Sequence, residues 1–172
     1  MDQETLVKTI KAGGIVVMPT DTIYGLLTSA TNPSAIERLY QLRQRDHNKP
    51  FIILISALED LKLFNVQPTP KQLEQLNQLW PGPVSEILCT RAFRLPAKAI
   101  LRELISQTGP LVAPSANLAG QPPATTMAEA QAYFGNQIEG YVDGGHLEGE
   151  PSTLVSLAGD GNLTVLRGRL KH

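Results

Sequence analysis

The hydrophobic positions of the chain fall into two patterns, short apolar runs and segments with apolar residues three or four positions apart. The short runs are typical of strands, and an uninterrupted run is typical of a strand buried on both faces. The spaced segments are typical of amphipathic helices. Together they predict strands at residues 15–18, 51–55, 84–89, 92–95, 111–113, 138–142, 153–157 and 163–166. They predict helices at residues 2–12, 33–43, 56–64, 69–80, 98–106 and 126–134.

Four of the predicted helices begin at a polar residue that can cap the first turn: Asn32, Ser56, Thr69 and Thr126. Proline follows two of them, and Glu three positions beyond the other two predicts capping boxes. Strands and helices interleave without strict alternation. We therefore predict an α/β fold of the α+β type, with one domain over residues 1–172, a twisted mixed sheet and packed helices.

Two predicted strands end in small polar residues. The strand at residues 111–113 runs into Pro114-Ser115-Ala116-Asn117, and the strand at residues 15–18 runs into Pro19-Thr20-Asp21-Thr22. Hydroxyl and amide groups at strand ends often hold ligands in open α/β sheets. A polar turn that only satisfies its own backbone amides is the alternative for each tip. Two such tips in one chain indicate a single polar cavity with two walls.

Both tips belong to longer motifs, Pro-Thr-Asp-Thr-Ile-Tyr-Gly-Leu at residues 19–26 and Ser-Ala-Asn-Leu-Ala-Gly at residues 115–120. With these motifs in this order, nearly the whole chain resembles the YrdC/TsaC family, the threonylcarbamoyl-adenylate synthases of tRNA modification. The resemblance implies a YrdC-like fold and a nucleotidyltransferase that makes threonylcarbamoyl-AMP and pyrophosphate from L-threonine, bicarbonate and ATP. It also implies Mg²⁺ carried by ATP, and a t6A-transferase complex or tRNA as the next partner.

The resemblance further implies contacts to each substrate. The L-threonine contacts would be Thr20, Thr22, Arg94, Ala113 and Ser152. The nucleotide contacts would be Arg43, Arg45, Lys49, Ser115, Asn117, Pro123 and Arg167. Attack of a carbamate on the α-phosphorus needs alignment and positive charge rather than a protein nucleophile. The residues expected to provide them are Arg45, Lys49, Ser115 and Asn117.

The basic segment and the lone Arg94 can each be explained without a ligand when only the residues are considered. Arg43, Arg45 and Lys49 follow a predicted helix and precede a buried strand. Arginine forks match phosphate oxygens, but cations at a helix end also serve as solvated charges that complement the helix dipole. Arg94 stands alone in an apolar strand pattern. It either meets an anion or lies on a strand edge that faces water.

The sequence departs from the family pattern at three places. In the segment that reads Lys-x-Arg-Pro-x-x-Lys-Pro in the family, Arg43 replaces the first Lys and Asp46 replaces the first Pro. A longer family segment is shortened here between Glu86 and Phe93, near the expected rim of the threonine pocket. Ser85-Glu86 stands where the family has Thr followed by an apolar residue, which predicts a charge in an apolar strand.

Composition narrows the function classes. A chain of 172 residues, 42% hydrophobic and 18% charged, is typical of a globular domain. Its net charge of −1 argues against polyanion binding through bulk charge. The single cysteine, Cys89, excludes an internal disulfide and a cysteine-based zinc site. With neither a membrane-spanning apolar run nor a signal-peptide pattern, we expect a cytoplasmic location and no membrane partner.

Two other functions fit the same residues. One is a non-catalytic RNA-binding protein of the same fold, which the basic segment allows and the low aromatic content disfavours. Its ligand would be tRNA, rRNA or double-stranded RNA. The other is a related carbamoyl-chemistry enzyme with a different small substrate, because the shortened segment alters the pocket rim. The sequence does not indicate an oligomeric state.

Overall fold

Nine strands form one mixed sheet in the computed structural model, which describes residues 1–170. They are β1 (Val16–Pro19), β2 (Tyr24–Ser29), β3 (Ile53–Leu54), β4 (Val84–Leu88), β5 (Arg91–Arg94), β6 (Leu111–Val112), β7 (Gly140–Tyr141), β8 (Thr153–Leu157) and β9 (Leu163–Arg167). Their order is β7-β1-β2-β6-β3-β5-β4-β8-β9. The pairs β1–β7, β3–β5 and β4–β8 are parallel and the remaining pairs are antiparallel, so the predicted mixed sheet is confirmed.

Each predicted helix is present, although one is of a different type. The α-helices are α1 (Gln3–Lys11), α2 (Pro33–Arg43), α3 (Pro70–Leu79), α4 (Ala99–Thr108) and α5 (Met127–Phe134). The segment predicted as a helix at residues 56–64 is a 3₁₀-helix, Leu58–Phe64. A second, shorter 3₁₀-helix, Gly135–Gln137, continues α5.

The predicted capping residues lie at or next to the helix starts, but the two capping boxes use other partners. The N–H and the hydroxyl of Ser56 both donate to Asp60 at 2.8 Å, one position beyond the predicted glutamate. The hydroxyl of Thr126 accepts from the amide of Glu129 at 3.2 Å, as predicted. The Glu129 carboxylate, however, accepts from the N–H of Thr125 at 2.7 Å rather than from that of Thr126.

Strand β2 was not predicted, although it lies near the centre of the sheet. Each of its six residues is buried, and it pairs with β1 on one side and β6 on the other. The β1–β2 pairing ends at Pro19 and Tyr24, so residues 20–23 form the turn of a hairpin. Position 25 is crowded, because a Cβ there would lie 3.1 Å from side-chain carbons of both Leu27 and Thr20.

The sheet separates two hydrophobic cores. In β1, Val17 belongs to the larger core, while Val16 and Met18 belong to the smaller one. The smaller core also contains buried residues of α1 and α4, including Ile10 and Leu104. Because side chains alternate between the faces of a strand, an apolar layer on each face requires the uninterrupted apolar runs seen in the sequence.

Candidate active site

A cavity of about 390 Å³ opens where the two polar tips meet. The segment after β6 continues beside β2, because Leu26 N–H donates to the Pro114 carbonyl at 2.8 Å and Ala116 N–H donates to the Tyr24 carbonyl at 2.9 Å. This pairing places Thr22 and Ser115 in the wall of the same cavity. The two tips therefore converge as the sequence predicts.

Ten of the twelve predicted site residues line this cavity: Thr20, Thr22, Arg43, Arg45, Lys49, Arg94, Ala113, Ser115, Ser152 and Arg167. Asn117 and Pro123 do not line it. Lining residues that the sequence analysis missed include Ile87, Thr90 and Leu154. The strand period of two places Ala92 on the same side of β5 as the predicted Arg94, and Ile87 lies opposite Ala92 in the β4–β5 pairing.

The first tip is held together by the hydroxyl of Thr20. It donates to the Ile23 carbonyl at 2.7 Å and accepts from the backbone N–H of Thr22 at 3.2 Å. Thr20 thus satisfies its own turn, which is the alternative that the sequence left open. The hydroxyl of Thr22 lies 3.1 Å from that of Thr20 and 3.4 Å from Nη1 of Arg94. Thr22 is the better placed of the two to meet a ligand, because it is only partly buried.

A loop covers the outside of this tip. The Tyr24 hydroxyl donates to the Gly145 carbonyl and accepts from the Gly144 N–H, both at 2.8 Å. At Gly149, a Cβ would collide with the carbonyl oxygen of Thr22. The loop backbone can approach so closely only because residue 149 has no side chain. Further along, the same loop brings Ser152 to the cavity.

Arg94 lies in the cavity wall and is 4% exposed. Its Nη2 donates to the Asp21 carboxylate at 2.9 Å, and the other Asp21 oxygen accepts from the Ala97 N–H at 3.1 Å. Burial lowers the pKa of Arg94, Asp21 raises it and Arg167 adds to the lowering. Of the two alternatives for Arg94, the structure thus shows the paired arginine, with Asp21 as its anion.

The basic segment contributes cations of two kinds. Arg43 is 3% exposed, and burial, followed by repulsion from Arg45, lowers its pKa to about 10. Arg45 is only partly buried, and Lys49 is exposed. Arg45 donates through Nε to the Lys49 carbonyl at 2.9 Å and lies over the Phe51 ring at 5.3 Å. The Asp46 carboxylate accepts from the Asn48 N–H at 2.9 Å, so this departure from the family pattern shapes the turn.

Ser152 is fixed through both its backbone and its side chain. Nη2 of Arg167 donates to the Ser152 carbonyl at 3.0 Å, and the hydroxyls of Ser152 and Ser85 lie 2.8 Å apart. Ser85 is fully buried, so its hydroxyl proton needs an acceptor within the protein. Ser152 is buried as well, and either hydroxyl can be the donor, so the pair forms one internal hydrogen bond at the cavity wall.

Cationic side chains outnumber anionic ones in the lining of the cavity. Five cationic side chains line it, and none of the lining residues within the described part of the chain is Asp or Glu. Burial is the largest cause of a lowered pKa at Arg167, and repulsion from Arg45 adds to it. Guanidinium groups that are gathered in one partly buried site favour an anionic ligand, and arginine forks suit phosphate or carboxylate oxygens.

Residues 1–170 contain neither a metal-binding cluster of His, Cys, Asp or Glu side chains nor a membrane-spanning helix. No group of three or more His, Cys, Asp or Glu side chains has an arrangement that could hold a metal ion. No helix in this part of the chain is long and apolar enough to cross a membrane.

Comparison with known proteins identifies the family. The family model Sua5_yciO_yrdC, whose description is telomere recombination, matches residues 8–168. The chain belongs to the Sua5/YciO/YrdC family. This result confirms the YrdC-like family that the two motifs indicated.

Two relatives in this family are named threonylcarbamoyl-AMP synthase. The protein of Pyrococcus abyssi is 33% identical over 165 residues, which cover 86% of this chain and 48% of the relative. The protein of Bacillus subtilis is 34% identical over 172 residues, which cover 88% of this chain and 49% of the relative. This chain therefore spans about half the length of these two Sua5/YciO/YrdC proteins. A putative threonylcarbamoyl-AMP synthase of Mycobacterium tuberculosis is 30% identical, with 87% of this chain and 76% of the relative covered.

Solved structures of family members confirm the fold. P. abyssi Sua5 complexed with L-threonine superposes with a TM-score of 0.86 at 30% identity, over 96% of this chain and 53% of that one. E. coli YciO superposes with a TM-score of 0.84 at 23% identity, over 96% of this chain and 89% of that one. The predicted YrdC-like architecture is therefore confirmed.

Proposed function

We propose that this chain makes threonylcarbamoyl-AMP and pyrophosphate from L-threonine, bicarbonate and ATP, for the t6A modification of tRNA. The observation that carries the proposal is the single cavity into which both hydroxyl-bearing tips and five cations converge. Relatives named threonylcarbamoyl-AMP synthase, at 33% and 34% identity, support the same activity. The P. abyssi Sua5 structure with L-threonine supports an amino acid ligand for this fold.

The amino acid would bind on the Thr22 side of the cavity. Arg94 would attract its carboxylate, while the hydroxyls of Ser152 and Thr22 would orient it. Thr20 and Ala113 complete this wall. Because Arg94 already pairs with Asp21, its charge is partly compensated before any ligand arrives. A weakly held carboxylate suits a substrate that must leave as part of the product.

The nucleotide would bind on the Ser115 side. Arg45, Lys49 and Arg167 would meet the phosphates, and Ser115 would donate a hydrogen bond. Asn117 and Pro123, which do not line the cavity, would shape the loop beside it. Mg²⁺ would arrive bound to ATP as part of the substrate.

The chemistry needs alignment and charge. Bicarbonate takes up a proton and loses water to give carbon dioxide. The threonine amine adds to the carbon dioxide, loses a proton and becomes a carbamate. A carbamate oxygen then forms a bond to the α-phosphorus, and the bond between the α-phosphorus and the oxygen bridging to the β-phosphorus breaks. Pyrophosphate leaves with the bond electrons. Arg45, Lys49 and Arg167 would stabilise the negative charge that grows on the leaving group.

The direct test is product analysis. The protein is incubated with ATP, Mg²⁺, L-threonine and ¹³C-bicarbonate, and the products are identified by mass spectrometry. We expect a ¹³C-labelled threonylcarbamoyl-AMP and an equal amount of pyrophosphate, each lost when threonine or bicarbonate is omitted. A surface variant, Lys62→Ala, should behave as the wild type. If ATP binds but no threonine- and bicarbonate-dependent adenylate forms, the proposed activity is wrong.

One observation favours a second candidate, the related enzyme with another small substrate. Strands β4 and β5 are joined by only Cys89 and Thr90, and Thr90 itself lines the cavity. The shortened segment therefore changes the wall of the cavity as well as its outer rim. Pyrophosphate release with a panel of amino acids, and with carbamoyl phosphate, distinguishes the two candidates. The cytoplasmic location and the transferase or tRNA partner remain predictions.

A further inference from the structure

We propose that Arg43 is a positioning residue, which sets the loop at residues 115–121 rather than contacting a phosphate. This inference deepens the proposed function and rests on it for its ligand-binding readout. It concerns the position where this chain has Arg in place of the first Lys of the family segment. The resemblance implies a phosphate contact there, whereas the contacts in the structure point to a different role.

Four hydrogen bonds join Arg43 to the loop, and three of them are with Asn117 and Ala119. Its Nε donates to the Asn117 carbonyl at 2.9 Å, and its Nη2 donates to the Asn117 side-chain oxygen at 3.0 Å. Its own carbonyl accepts from the Ala119 N–H at 2.9 Å. Because Arg43 is the last residue of α2, these bonds fasten the loop to the end of a helix.

Within residues 1–170, Arg43 is the only hydrogen-bond donor to the side-chain oxygen and the backbone carbonyl of Asn117. The side-chain amide of Asn117 donates to the carbonyls of Leu118 at 2.7 Å and Gln121 at 2.8 Å. Its side-chain oxygen and its backbone carbonyl both accept from Arg43. Asn117 is 6% exposed, so loss of Arg43 would leave two buried acceptors unpaired. The loop would have to move to recover partners.

Ser115 is the route from this loop to the ligand. Nη2 of Arg43 also lies 3.4 Å from the Ser115 hydroxyl, and Ser115 lines the cavity two residues before Asn117. A shift of the loop therefore moves a predicted nucleotide contact. Arg43 also lines the cavity, but it is 3% exposed and its Nε and Nη2 already donate to Asn117. By contrast, Lys49 is exposed and Arg45 is only partly buried. These two cations are the accessible ones of the segment.

The same geometry explains why the residue is Arg. A guanidinium holds several N–H groups in a fixed plane and can span the two oxygens of Asn117 at once. A lysine ammonium is a single, strongly hydrated centre that cannot reproduce this fork and is costlier to bury. Arg43→Lys, which restores the family residue, is therefore the decisive substitution.

The experiment combines nucleotide affinity with amide hydrogen exchange. Calorimetric titration with Mg²⁺ and ATP is carried out on Arg43→Lys, Arg43→Met, Asn117→Ala and the Arg43→Met/Asn117→Ala double variant. Because each single variant loses hydrogen bonds that hold the loop, we expect each to bind ATP roughly 10-fold more weakly, including Arg43→Lys. When one residue acts through another, the effects of substituting both do not add. In the Asn117→Ala background, Arg43→Met should therefore weaken ATP binding by less than about 3-fold. Arg38→Lys, in the same helix, is the matched control.

Exchange in the ligand-free protein makes the result independent of any activity. The amides of residues 118–121 should exchange faster in both Arg43→Lys and Asn117→Ala, and as in the wild type in Arg38→Lys. If Arg43→Met does not fold, Arg43→Lys and Asn117→Ala are sufficient for the test. Wild-type affinity and exchange in Arg43→Lys, or additive losses in the double variant, would overturn the assignment. The two proposals can fail separately. If the wild type forms no adenylate, the proposed function is wrong; if the variants still exchange faster, the role of Arg43 stands.

Discussion

Two buried ionisable side chains on the β4–β5 hairpin, Arg94 and Glu86, lie on opposite faces of the sheet in opposite surroundings. Arg94 lines the cavity and pairs with Asp21 at 2.9 Å. Glu86 is fully buried beside Phe93, and neither of its carboxylate oxygens has a hydrogen-bond partner among the described residues. Burial raises the pKa of Glu86 to about 8, so this carboxyl is mostly protonated at pH 7.

The difference shows two ways in which one hairpin tolerates an ionisable group. On the cavity face, the charge of Arg94 is kept because a counter-charge is built beside it. On the core face, the charge of Glu86 is removed by protonation, because nothing there compensates it. The hairpin thus has two unlike faces. One face carries charge and can hold anions, and the other is uncharged and packs against the core. The predictions below test the two sides of this contrast.

The largest effect is expected at Arg94. Arg94→Ala would leave Asp21 buried without its cation, and breaking such a pair typically costs about 3–5 kcal/mol of the free energy of unfolding. Urea denaturation at pH 7 measures the loss. The Asp21→Ala/Arg94→Ala double variant should be less destabilised than the sum of the two single variants. If the loss of stability in the double variant equals the sum of the two single losses, the pair does not act as a unit.

Glu86 should make stability fall as pH rises. In the unfolded chain this carboxyl ionises near its ordinary pKa of 4.5, while in the folded chain it keeps its proton up to about pH 8. The stabilisation is thus complete below pH 4.5 and is lost between pH 4.5 and 8, at up to about 1.4 kcal/mol per pH unit. Urea denaturation at pH 5, 6, 7 and 8 measures a fall of about 2–4 kcal/mol.

Glu86→Leu should remove this pH-dependent part, and the exposed control Glu74→Gln should keep it. Because the leucine carries no charge to bury, the variant should also be more stable than the wild type at pH 8. A wild-type protein whose stability is flat or rises over this range would show that Glu86 is charged, with a partner, in the folded state.

The accessible cations of the cavity face should affect ligand binding more than folding. Arg45→Ala and Lys49→Ala each remove a charge-assisted contact, so each should weaken ATP binding by at least ~1.5 kcal/mol, or roughly 10-fold. Calorimetric titration measures the affinity, and the exposed Lys62→Ala is the control. Unchanged affinity in both variants would remove these residues from the nucleotide site.

The smallest effect is expected at Ser85, whose hydroxyl is hydrogen-bonded to that of Ser152 at 2.8 Å. Ser85→Ala should raise the KM for threonine about fivefold, because one hydrogen bond contributes about 1 kcal/mol. Ser85→Thr keeps the hydroxyl and should restore the KM. Steady-state pyrophosphate release measures both. If the alanine and threonine variants have the same KM, Ser85 is only a packing residue.

Local sequence signals predicted most of the fold, because apolar runs and helix caps are local features. Strand β2 was not predicted because its apolar pattern is interrupted by Gly25, Thr28 and Ser29. The two motifs predicted the cavity, but they did not predict which side chains pair with each other in its wall. Arg94 and Asp21 are 73 positions apart, and nothing in the sequence says which anion the arginine meets. Likewise, Arg43 looks like a third phosphate ligand until its burial against Asn117 is seen.

The most direct test of the shared cavity is a crystal structure of the protein with L-threonine and a non-hydrolysable ATP analogue. We expect the threonine carboxylate beside Arg94, its hydroxyl or amine beside Thr22, and the phosphates beside Arg45 and Lys49, with the carbamate-forming amine facing the α-phosphorus. Two ligands in separate cavities, or a triphosphate bound away from Ser115, would contradict a single site for both substrates.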